Sequence, residues 1–356
     1  MAKGFEELVL SDHDSGFRGK ATINDIARLA GVSKKTVSRV INRSPLLNEA
    51  TRAKVDAVIA AAGYVPNPQA RALALRRNFL IALVHDNPNA QMVLGMQTGL
   101  LEVLKGTEYE LIVRPVNRES PTMVDDLRQF LERQRPHGIV LLPPISENDA
   151  LAALCDELDC RYVRMGSAQL DDPSRMVGSN DRELMGEAAA YLIAQGHRRI
   201  GFVAGPQGFR SAFERRAGLD AALAAAGIEL PEALIAEGSY RFESGVAAGN
   251  RLLSADPRPT AILASNDEMA AGVVHAVRAR GLDVPRDVSV IGFDDTAIAA
   301  HLWPPLTTVR WPIADMARAA ANKLLIGTRD ADVAAASASI FPSSLIQRSS
   351  VAPPSA

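Results

Sequence analysis

The chain has 356 residues and a mass of 38.0 kDa, which is too long for one ordinary domain and predicts two or three. Hydrophobic residues make up 47% of the chain and charged residues 22%, as in globular proteins. No run of about 18 apolar residues occurs, which predicts that no helix spans a membrane. The formal net charge of −2 argues, as an average, against a nucleic-acid partner.

The N-terminus and the cysteines point to an intracellular protein. Residues 1–20 are polar and mildly acidic, which predicts a disordered extension and no secretory signal. The two cysteines, Cys155 and Cys160, have no histidine at a metal-ligand spacing. We interpret them as incidental thiols in a reducing compartment, not as a disulfide framework or a metal site. These features predict a cytoplasmic protein without a metal, a cofactor or a membrane partner.

Charge is distributed unevenly along the chain. Residues 21–77 carry ten basic and three acidic side chains, a net charge of +7. Residues 1–20 carry a net charge of −1, and residues 78–356 carry −8. A basic segment joined to an acidic remainder indicates a nucleic-acid partner for the basic segment.

Residues 21–66 predict three short helices with a tight turn between the first two. Thr22 is a predicted N-cap, Gly31 ends the first helix, Ser33 caps the second and Asn48 caps the third. Two helices joined in this way form the geometry that places the second helix in the major groove of DNA. The alternative is a basic amphipathic helix that is only solvated within a small bundle.

Residues 67–77 predict a linker helix. Asn67 is the predicted N-cap, and Pro68 occupies the first helical position. A helix of about eight residues is too short to persist alone, so we expect it to fold only when DNA supports it. Leu73 would then be exposed. It would either enter the minor groove as a wedge or pack against the following domain, and the residues alone favour neither.

From residue 78 onward, apolar strands alternate with amphipathic helices. Strands are predicted at FLIALVHD, YELIVRPV, GIVLLPP, RYVRMG, RIGFVAG, ALIAEGSY, TAILASND and DVSVIGFDD, and helices at PTMVDDLRQFLERQ, ELMGEAAAYLIAQG and DEMAAGVVHAVRARG. This alternation predicts parallel sheets with helices on both faces. About 280 residues of the pattern predict two similar α/β lobes.

The segment TINDIARLAGVSKKTVSRVIN, followed by YVPN and ARALA, resembles the LacI/GalR family of bacterial transcription regulators, and the resemblance extends over about residues 21–350. It implies an all-α helix-turn-helix head, a hinge helix and an α/β core of two lobes, like a periplasmic binding protein. The lobes would comprise residues 78–178 with 309–341, and residues 179–308 with 342–350. It also implies a homodimeric repressor that binds a pseudo-palindromic operator in double-stranded DNA under the allosteric control of a small-molecule effector.

The same resemblance implies roles for individual residues of the head and the linker. Lys34, Lys35 and Arg39 would read bases, since lysine and arginine reach guanine O6 and N7 in the major groove. The residues that would hold phosphates, flank the groove or contact DNA from the linker are Thr22, Ser33, Thr36, Ser38, Asn42, Asn67, Ala70 and Leu73, with Leu73 as the minor-groove lever.

In the core, the resemblance implies a sugar or a sugar derivative as the effector. The residues that would contact it are Asp86, Ser211, Arg215, Tyr240, Asn266 and Asp294. Carboxylate, amide and guanidinium groups suit sugar hydroxyls, and an aromatic ring suits the apolar face of a sugar. Each residue also has an ordinary alternative: Asn266 and Asp294 as caps of the following segments, and Arg215 as a surface cation.

An enzyme and a transport-type binding protein are the alternative functions. Asp294 and Asp295 are both carboxylates, but adjacent residues rarely face each other across a substrate. The chain has no phosphate-loop, dinucleotide-binding or nucleophile-elbow motif. The basic head argues against a transport protein. We therefore predict a DNA-binding regulator without enzymatic activity. The effector, the operator and the direction of the response to the effector stay open.

Overall fold

A computed structural model describes residues 21–41, 46–65, 78–87, 89–325, 340–341 and 344–355. The chain divides into two compact units, a head that precedes residue 78 and a body that begins at Asn78. Every helix in the described ranges is too short or too polar to cross a membrane.

The described helices alternate with strands through the body, as the sequence pattern predicts. The helices are α1 (Ile23–Leu29), α2 (Lys34–Ile41), α3 (Glu49–Ala61), α4 (Ala90–Leu104), α5 (Met123–Gln134), α6 (Asp149–Glu157), α7 (Asp181–Ala194), α8 (Arg210–Ala225), α9 (Phe242–Leu253), α10 (Asp267–Ala279), α11 (Ala297–His301) and α12 (Ile313–Leu324). The strands are β1 (Leu80–His85), β2 (Glu110–Pro115), β3 (Gly138–Leu141), β4 (Arg161–Gly166), β5 (Met176–Ser179), β6 (Ile200–Ala204), β7 (Ile235–Glu237), β8 (Ala261–Ala264), β9 (Ser289–Asp294), β10 (Thr307–Arg310), β11 (Ile340–Phe341) and β12 (Ser344–Ile346). All eight predicted strands and all three predicted body helices are confirmed.

Side-chain caps start the three helices of the head. The Asp25 N–H donates to the Thr22 hydroxyl oxygen at 3.4 Å and the Thr22 N–H donates to the Asp25 carboxylate at 2.9 Å, which together form a capping box for α1. At α2, the Ser33 hydroxyl accepts the Thr36 N–H at 3.1 Å. Asn48 caps α3. The three helix starts predicted from the sequence are therefore confirmed.

The turn between α1 and α2 depends on a glycine. Gly31 has φ +61°, in the left-handed region that glycine adopts without steric cost. Each helix contributes a fully buried side chain to the core of the head: Ile26 from α1, Val37 from α2 and Val55 from α3. The charged side chains of α2 consequently lie on the opposite, solvent-facing side.

The body contains two six-stranded sheets. The strand order is β11-β5-β4-β3-β1-β2 in the first sheet and β12-β10-β9-β8-β6-β7 in the second. The strand pairs of the described residues are parallel except for β10 with β12. We call the first sheet with its helices the first lobe, and the second sheet with its helices the second lobe. The predicted fold class is confirmed.

The chain passes between the two sheets three times. It leaves the first sheet after β5 at Ser179, returns after β10 at Arg310, and crosses again between Phe341 and Ser344. The predicted lobe boundaries lie at residues 178 and 308. β5 ends one residue after the first boundary, at Ser179, and β10 ends two residues after the second, at Arg310. α12 packs on α4 and on β4, so it belongs to the first lobe.

Glycines bring helices of the body into backbone contact. A Cβ atom at Gly99 of α4 would collide with the backbone carbonyl of Ala314 of α12, and one at Gly218 of α8 with the carbonyl of Arg182 of α7. Gly272 of α10 lies in the same way against the backbone of α9. These contacts fix the positions of α8, which carries Ser211 and Arg215, and of α10, which Asn266 caps.

Replacing Gly272 with alanine tests this packing. The added methyl group would meet the Phe242 carbonyl and the Val246 amide, which are backbone atoms that have no rotamer to change. We expect Gly272→Ala to lower the free energy of unfolding by about 1–3 kcal/mol in urea titrations. Gly208→Ala is the matched control, since a Cβ atom there meets nothing within 4 Å. Equal effects of the two changes would contradict the close contact.

Candidate functional site

The exposed face of α2 carries the predicted base-reading side chains. Lys34, Lys35 and Arg39 are exposed, whereas Val37 and Val40 are buried against the rest of the head. Lys35 and Arg39 are four residues apart and therefore lie on the same helix face. The first turn of α2 contains no acidic residue. The structure thus brings three cations together on one helix of the size that fits a major groove.

Hydroxyl groups surround the N-terminus of this helix. The Ser33 and Thr36 hydroxyl oxygens lie 2.9 Å apart, and Ser38 is partly exposed one turn further along. Helix N-termini attract phosphate through their backbone N–H groups. Thr22 stands at the start of α1, and its hydrogen bonds hold the pKa of Asp25 below its ordinary value. Four further predicted residues lie outside the described residues: Asn42, Asn67, Ala70 and Leu73.

A cleft lies between the two lobes of the body. Its lining residues follow directly after the carboxyl ends of parallel strands from both sheets, the place where open α/β sheets bind ligands. The lining consists of Asn87, Asn89, Met92, Pro143, Ser167, Asp181, Phe209, Ser211, Arg215, Tyr240, Asn266, Asp294 and Trp311. Five of the six predicted effector residues are among them.

Arg215 is the charged centre of the cleft. The side chain is 3% exposed, so its alternative role as a surface cation is wrong. Its Nε donates to Asp181 at 2.8 Å, its Nη2 lies 3.6 Å from Asp294, and its guanidinium carbon stacks 3.7 Å from the centre of the Phe293 ring. Burial pulls the pKa of the guanidinium down, but the carboxylates hold it above its ordinary value. Arg215 therefore stays charged.

Asp294 stands at the end of β9 with a strained backbone. Its φ of +110° lies in the region that non-glycine residues rarely adopt, and such strain is typical of functional sites. Oδ2 accepts a hydrogen bond from Asn89 of the first lobe at 3.2 Å, whereas Oδ1 is buried and has no hydrogen-bond partner among the described residues. Burial raises the pKa of Asp294 well above its ordinary value, with Arg215 opposing. Oδ1 lies 3.6 Å from Arg215 Nη2, and this side of the carboxyl group is therefore placed to form a hydrogen bond with a ligand.

Tyr240, Ser211 and Asn266 form one wall of the cleft. The Tyr240 and Ser211 hydroxyls lie 3.1 Å apart, and the Tyr240 ring packs edge-on against Phe209 at 5.3 Å. Asn266 caps α10 by accepting the Met269 N–H at 2.9 Å, and its amide donates to the Tyr240 carbonyl at 3.0 Å. Asn266 is thus a helix cap, as its alternative interpretation predicts, and it also lines the cleft.

Asp86 lies outside the cleft lining. Its carboxylate accepts the Arg118 N–H at 3.0 Å on the outer part of the first lobe. The first-lobe contribution comes instead from Asn87 and Asn89, which follow in the same loop, since Asn89 caps α4 and turns its amide toward Asp294.

Sequence reasoning missed two further polar groups of the cleft, Ser167 and Trp311. The Ser167 hydroxyl oxygen and the Trp311 Nε1 are buried without a hydrogen-bond partner among the described residues. A tryptophan at a crossing between the lobes is a signal that was available for Trp311. No sequence signal marks Ser167.

Asp267 holds the loop that presents Asp294. One of its carboxylate oxygens accepts the Thr296 N–H at 2.7 Å and the Thr296 hydroxyl at 3.0 Å, and the other accepts the Thr308 hydroxyl at 2.5 Å. Burial raises the pKa of Asp267 to about 7, although these hydrogen bonds oppose the shift. Asp267 does not line the cleft itself, but its hydrogen bonds hold the loop after Asp294 in place.

Comparisons with known proteins agree with this architecture. The family model described as "bacterial regulatory proteins, lacI family" matches residues 22–67. The model described as "periplasmic binding protein-like domain" matches residues 189–351. The HTH-type transcriptional regulator CelR of Thermobifida fusca is 37% identical over 320 residues, which cover 86% of this chain and 92% of that protein. The ribose operon repressor of Escherichia coli (strain K12) is 34% identical over 311 residues, with coverage of 86% and 92%.

Solved structures give the same result. The CelR–cellobiose complex has a TM-score of 0.67 and 32% identity over 93% of this chain and 99% of that one. The lac repressor dimer bound to operator and the anti-inducer ONPF has a TM-score of 0.77 and 26% identity over 94% of this chain and 100% of that one.

A helix-turn-helix head and a two-lobed core with its own cleft define a DNA-binding transcription regulator. The chain belongs to the lacI family of bacterial regulatory proteins, as the sequence resemblance predicts.

The pKa of Asp267 predicts how stability changes with pH. The ordinary pKa is 3.8 and the pKa in the fold is about 7, so the folded protein holds a proton that the unfolded chain releases between these values. The contribution of Asp267 to the free energy of unfolding therefore falls as pH rises from about 4 to about 7, by at most about 1.4 kcal/mol per pH unit.

We expect Asp267→Asn to remove this part of the pH dependence. Urea unfolding at about pH 5 and about pH 8 measures it, with Asp125→Asn, an exposed carboxylate on α5, as the matched control. If the wild-type protein and Asp267→Asn change in parallel with pH, the proton is taken up elsewhere.

Proposed function

We propose that this regulator binds a pseudo-palindromic operator as a homodimeric repressor, and that a small neutral sugar in the body cleft sets its operator affinity. The observation that carries the ligand proposal is the set of buried polar atoms in the cleft. Asp294, Ser167 and Trp311 line the cleft, and their Oδ1, Oγ and Nε1 atoms are buried without a hydrogen-bond partner among the described residues, although Asp294 Oδ1 lies 3.6 Å from Arg215 Nη2. Buried polar atoms are costly unless paired, so a ligand that supplies hydroxyl groups would stabilise the closed cleft.

The charges of the cleft favour a neutral ligand over an acid. Arg215 is the one cation among the lining residues, and it already faces two carboxylates, Asp181 and Asp294. An anionic ligand would meet the Asp294 carboxylate without a free positive charge to balance it. A neutral polyol would instead donate to Asp294 and accept from Trp311, while Phe209 and Tyr240 cover apolar ring surface.

The named relatives support a sugar as the ligand class. One similar structure contains cellobiose, and one similar protein is a repressor of a ribose operon. Carbohydrates share the hydroxyl-rich chemistry that the cleft offers.

Exposed leucines on the body support the homodimer. Leu94 is 55% exposed and Leu101 is 49% exposed, and they stand two turns apart on the same face of α4. Large apolar side chains at this spacing favour a protein partner. A similar structure, the lac repressor on its operator, is a dimer, and a two-fold axis matches a pseudo-palindromic site.

We propose that the effector acts through lobe closure. A change in closure would alter the spacing of the two linker segments, residues 67–77, and hence the fit of both heads to the operator. Leu73 would act in this linker as the minor-groove lever. A coupling of about 1–3 kcal/mol would change operator affinity by about 5–150-fold.

We also propose that the cleft binds its ligand without chemical change, in a cytoplasmic protein. The relatives named above are transcription regulators. Asp181 is held by Arg215 and by the Ser179 hydroxyl, which argues against a role as a general base. Asp294 would then act as a hydrogen-bond acceptor for the ligand.

Substitutions on α2 test the DNA-binding proposal. We expect Lys35→Ala and Arg39→Ala each to weaken operator binding by about 1–3 kcal/mol, because each removes a cation from the face that would enter the groove. The operator is first selected from random DNA with the wild-type protein, and affinities are then measured by fluorescence anisotropy at fixed salt. Arg28→Ala on α1 is the matched control. An equal loss in Arg28→Ala would contradict base reading by α2.

A thermal-shift screen of the full chain tests the effector proposal. The panel contains neutral mono- and disaccharides, sugar acids and nucleobases, and we expect a neutral sugar to raise the Tm. Asp294→Ala should weaken binding of that sugar by about 10-fold or more, since it removes a charged acceptor. Asp86→Ala removes a carboxylate outside the cleft lining and should keep the response.

Operator binding should persist in both aspartate variants. A shift caused only by sugar acids would overturn the neutral ligand. Retention of the full response in Asp294→Ala would overturn the cleft as the effector site.

A further inference from the structure

Two cysteines stand at the C-terminal end of α6, in the first lobe and outside the lining of the interlobe cleft. The Cys160 N–H donates to the Cys155 carbonyl at 2.8 Å, and the Asp159 N–H donates to the Asp156 carbonyl at 3.3 Å. Asp159 has φ +50°. These bonds form a Schellman motif, which brings the side chains of its first and last residues together. Those residues are Cys155 and Cys160, and both line the same surface groove.

Both cysteines line a surface groove. Cys155 is fully buried, whereas Cys160 is partly exposed, so a small solute reaches Cys160 first. The groove also carries three cations, Arg161, Arg175 and Lys323. Two acidic residues line it as well, Asp156, which pairs with Arg175 at 2.8 Å, and Asp159. The groove thus gives a small neutral oxidant access to Cys160.

The two thiols are chemically unequal. The neighbouring Cys155 thiol lowers the pKa of Cys160, although burial and Asp159 oppose the shift, and the Cys160 thiol lies 3.6 Å from the Arg161 carbonyl oxygen. The Cys160 thiol and burial raise the pKa of Cys155. The thiolate is the reactive form, so Cys160 is the nucleophile of the pair and Cys155 is the group that would resolve its oxidised form.

We propose that Cys155 and Cys160 are a peroxide-reactive pair that closes reversibly into an intramolecular disulfide. The Cys160 thiolate attacks one oxygen of a hydroperoxide, the O–O bond breaks, and Cys160 becomes a sulfenic acid. Cys155 then attacks the Cys160 sulfur, the S–O bond breaks, and the oxygen leaves as water with the thiol proton. Two thiols and one hydrogen peroxide thus give one disulfide and two waters, and an added dithiol reverses the oxidation.

A purely structural role is the competing explanation. A Schellman motif is often accompanied by an apolar contact between the same two positions, and two unreactive thiols would fill it equally well. The two roles differ in whether oxidation removes both thiols together. They also differ in whether Cys160 reacts before Cys155.

The test uses the full-length wild-type protein, reduced, freed of reductant and treated with hydrogen peroxide. We expect intact mass spectrometry to show the loss of two hydrogen atoms and alkylation to fail at both cysteines. Dithiothreitol should restore both thiols, and the protein should stay free of intermolecular disulfides on a non-reducing gel. Thiols that remain open to alkylation, direct conversion to sulfinic acid, or only intermolecular disulfides would each overturn the proposal.

Single substitutions assign the order of reaction. In Cys155→Ser we expect dimedone to label Cys160 as a stable sulfenic acid. In Cys160→Ser we expect Cys155 to react at least about 10-fold more slowly, because it is buried. Equal rates in the two variants would overturn the assigned order. Circular dichroism checks that each variant is folded. If either variant is unfolded, the mass-spectrometry result on the wild-type protein decides the proposal.

Discussion

A guanidinium group keeps its charge inside a protein only where carboxylates and aromatic surface replace the water it has lost. Arg215 is 3% exposed, lies 3.7 Å from the centre of the Phe293 ring, and faces Asp181 and Asp294 at 2.8 and 3.6 Å. Removing such charges from water costs several kcal/mol each, and removing one partner of a buried pair costs about 3–5 kcal/mol. The arrangement therefore requires α7, α8 and β9 to assemble together. The glycine contact at Gly218 brings α7 and α8 close enough for this, which ties the packing of the second lobe to its binding chemistry.

Asp294 connects the ligand position to the position of the lobes. One carboxylate oxygen accepts the Asn89 amide of the first lobe at 3.2 Å, while the other is buried without a hydrogen-bond partner among the described residues. Other polar contact between the lobes is made where Glu147 accepts the Arg210 N–H at 3.0 Å. A ligand bound to Asp294 Oδ1 would share the Asp294 carboxyl group with the hydrogen bond that Asn89 donates from the first lobe. A ligand shifts a conformational equilibrium only by its difference in affinity for the two states, and a group shared in this way supplies such a difference.

The sequence predicts the fold of this chain better than its cleft. Strand-helix alternation and side-chain caps such as Thr22 and Asn48 are local signals, and the structure confirms them. Cleft residues lie in the loops that follow many different strands. Which side chain of a loop faces the cleft depends on the backbone conformation of a few residues, and no sequence pattern reports that conformation. Asp86 and Asn89 stand three positions apart in one loop, yet the first turns outward to Arg118 and the second reaches Asp294. Ser167 follows β4 with no local pattern to mark it, and only the assembled sheets reveal that it lines the cleft.

The separation of charge along the chain bears on how such a regulator is controlled. Residues 21–77 carry +7 and residues 78–356 carry −8, although the total is −2. Electrostatic interactions are screened beyond about 8 Å at physiological ionic strength, so a DNA phosphate responds to the head it touches and not to the total charge. Attraction to phosphates is also independent of base sequence. On the proposed function, a ligand in the cleft leaves the cations of the head unchanged, and its effect would come through the relative placement of two heads on one operator. The effector would then alter specific binding strongly and non-specific binding little, because only specific binding requires both heads to fit at once.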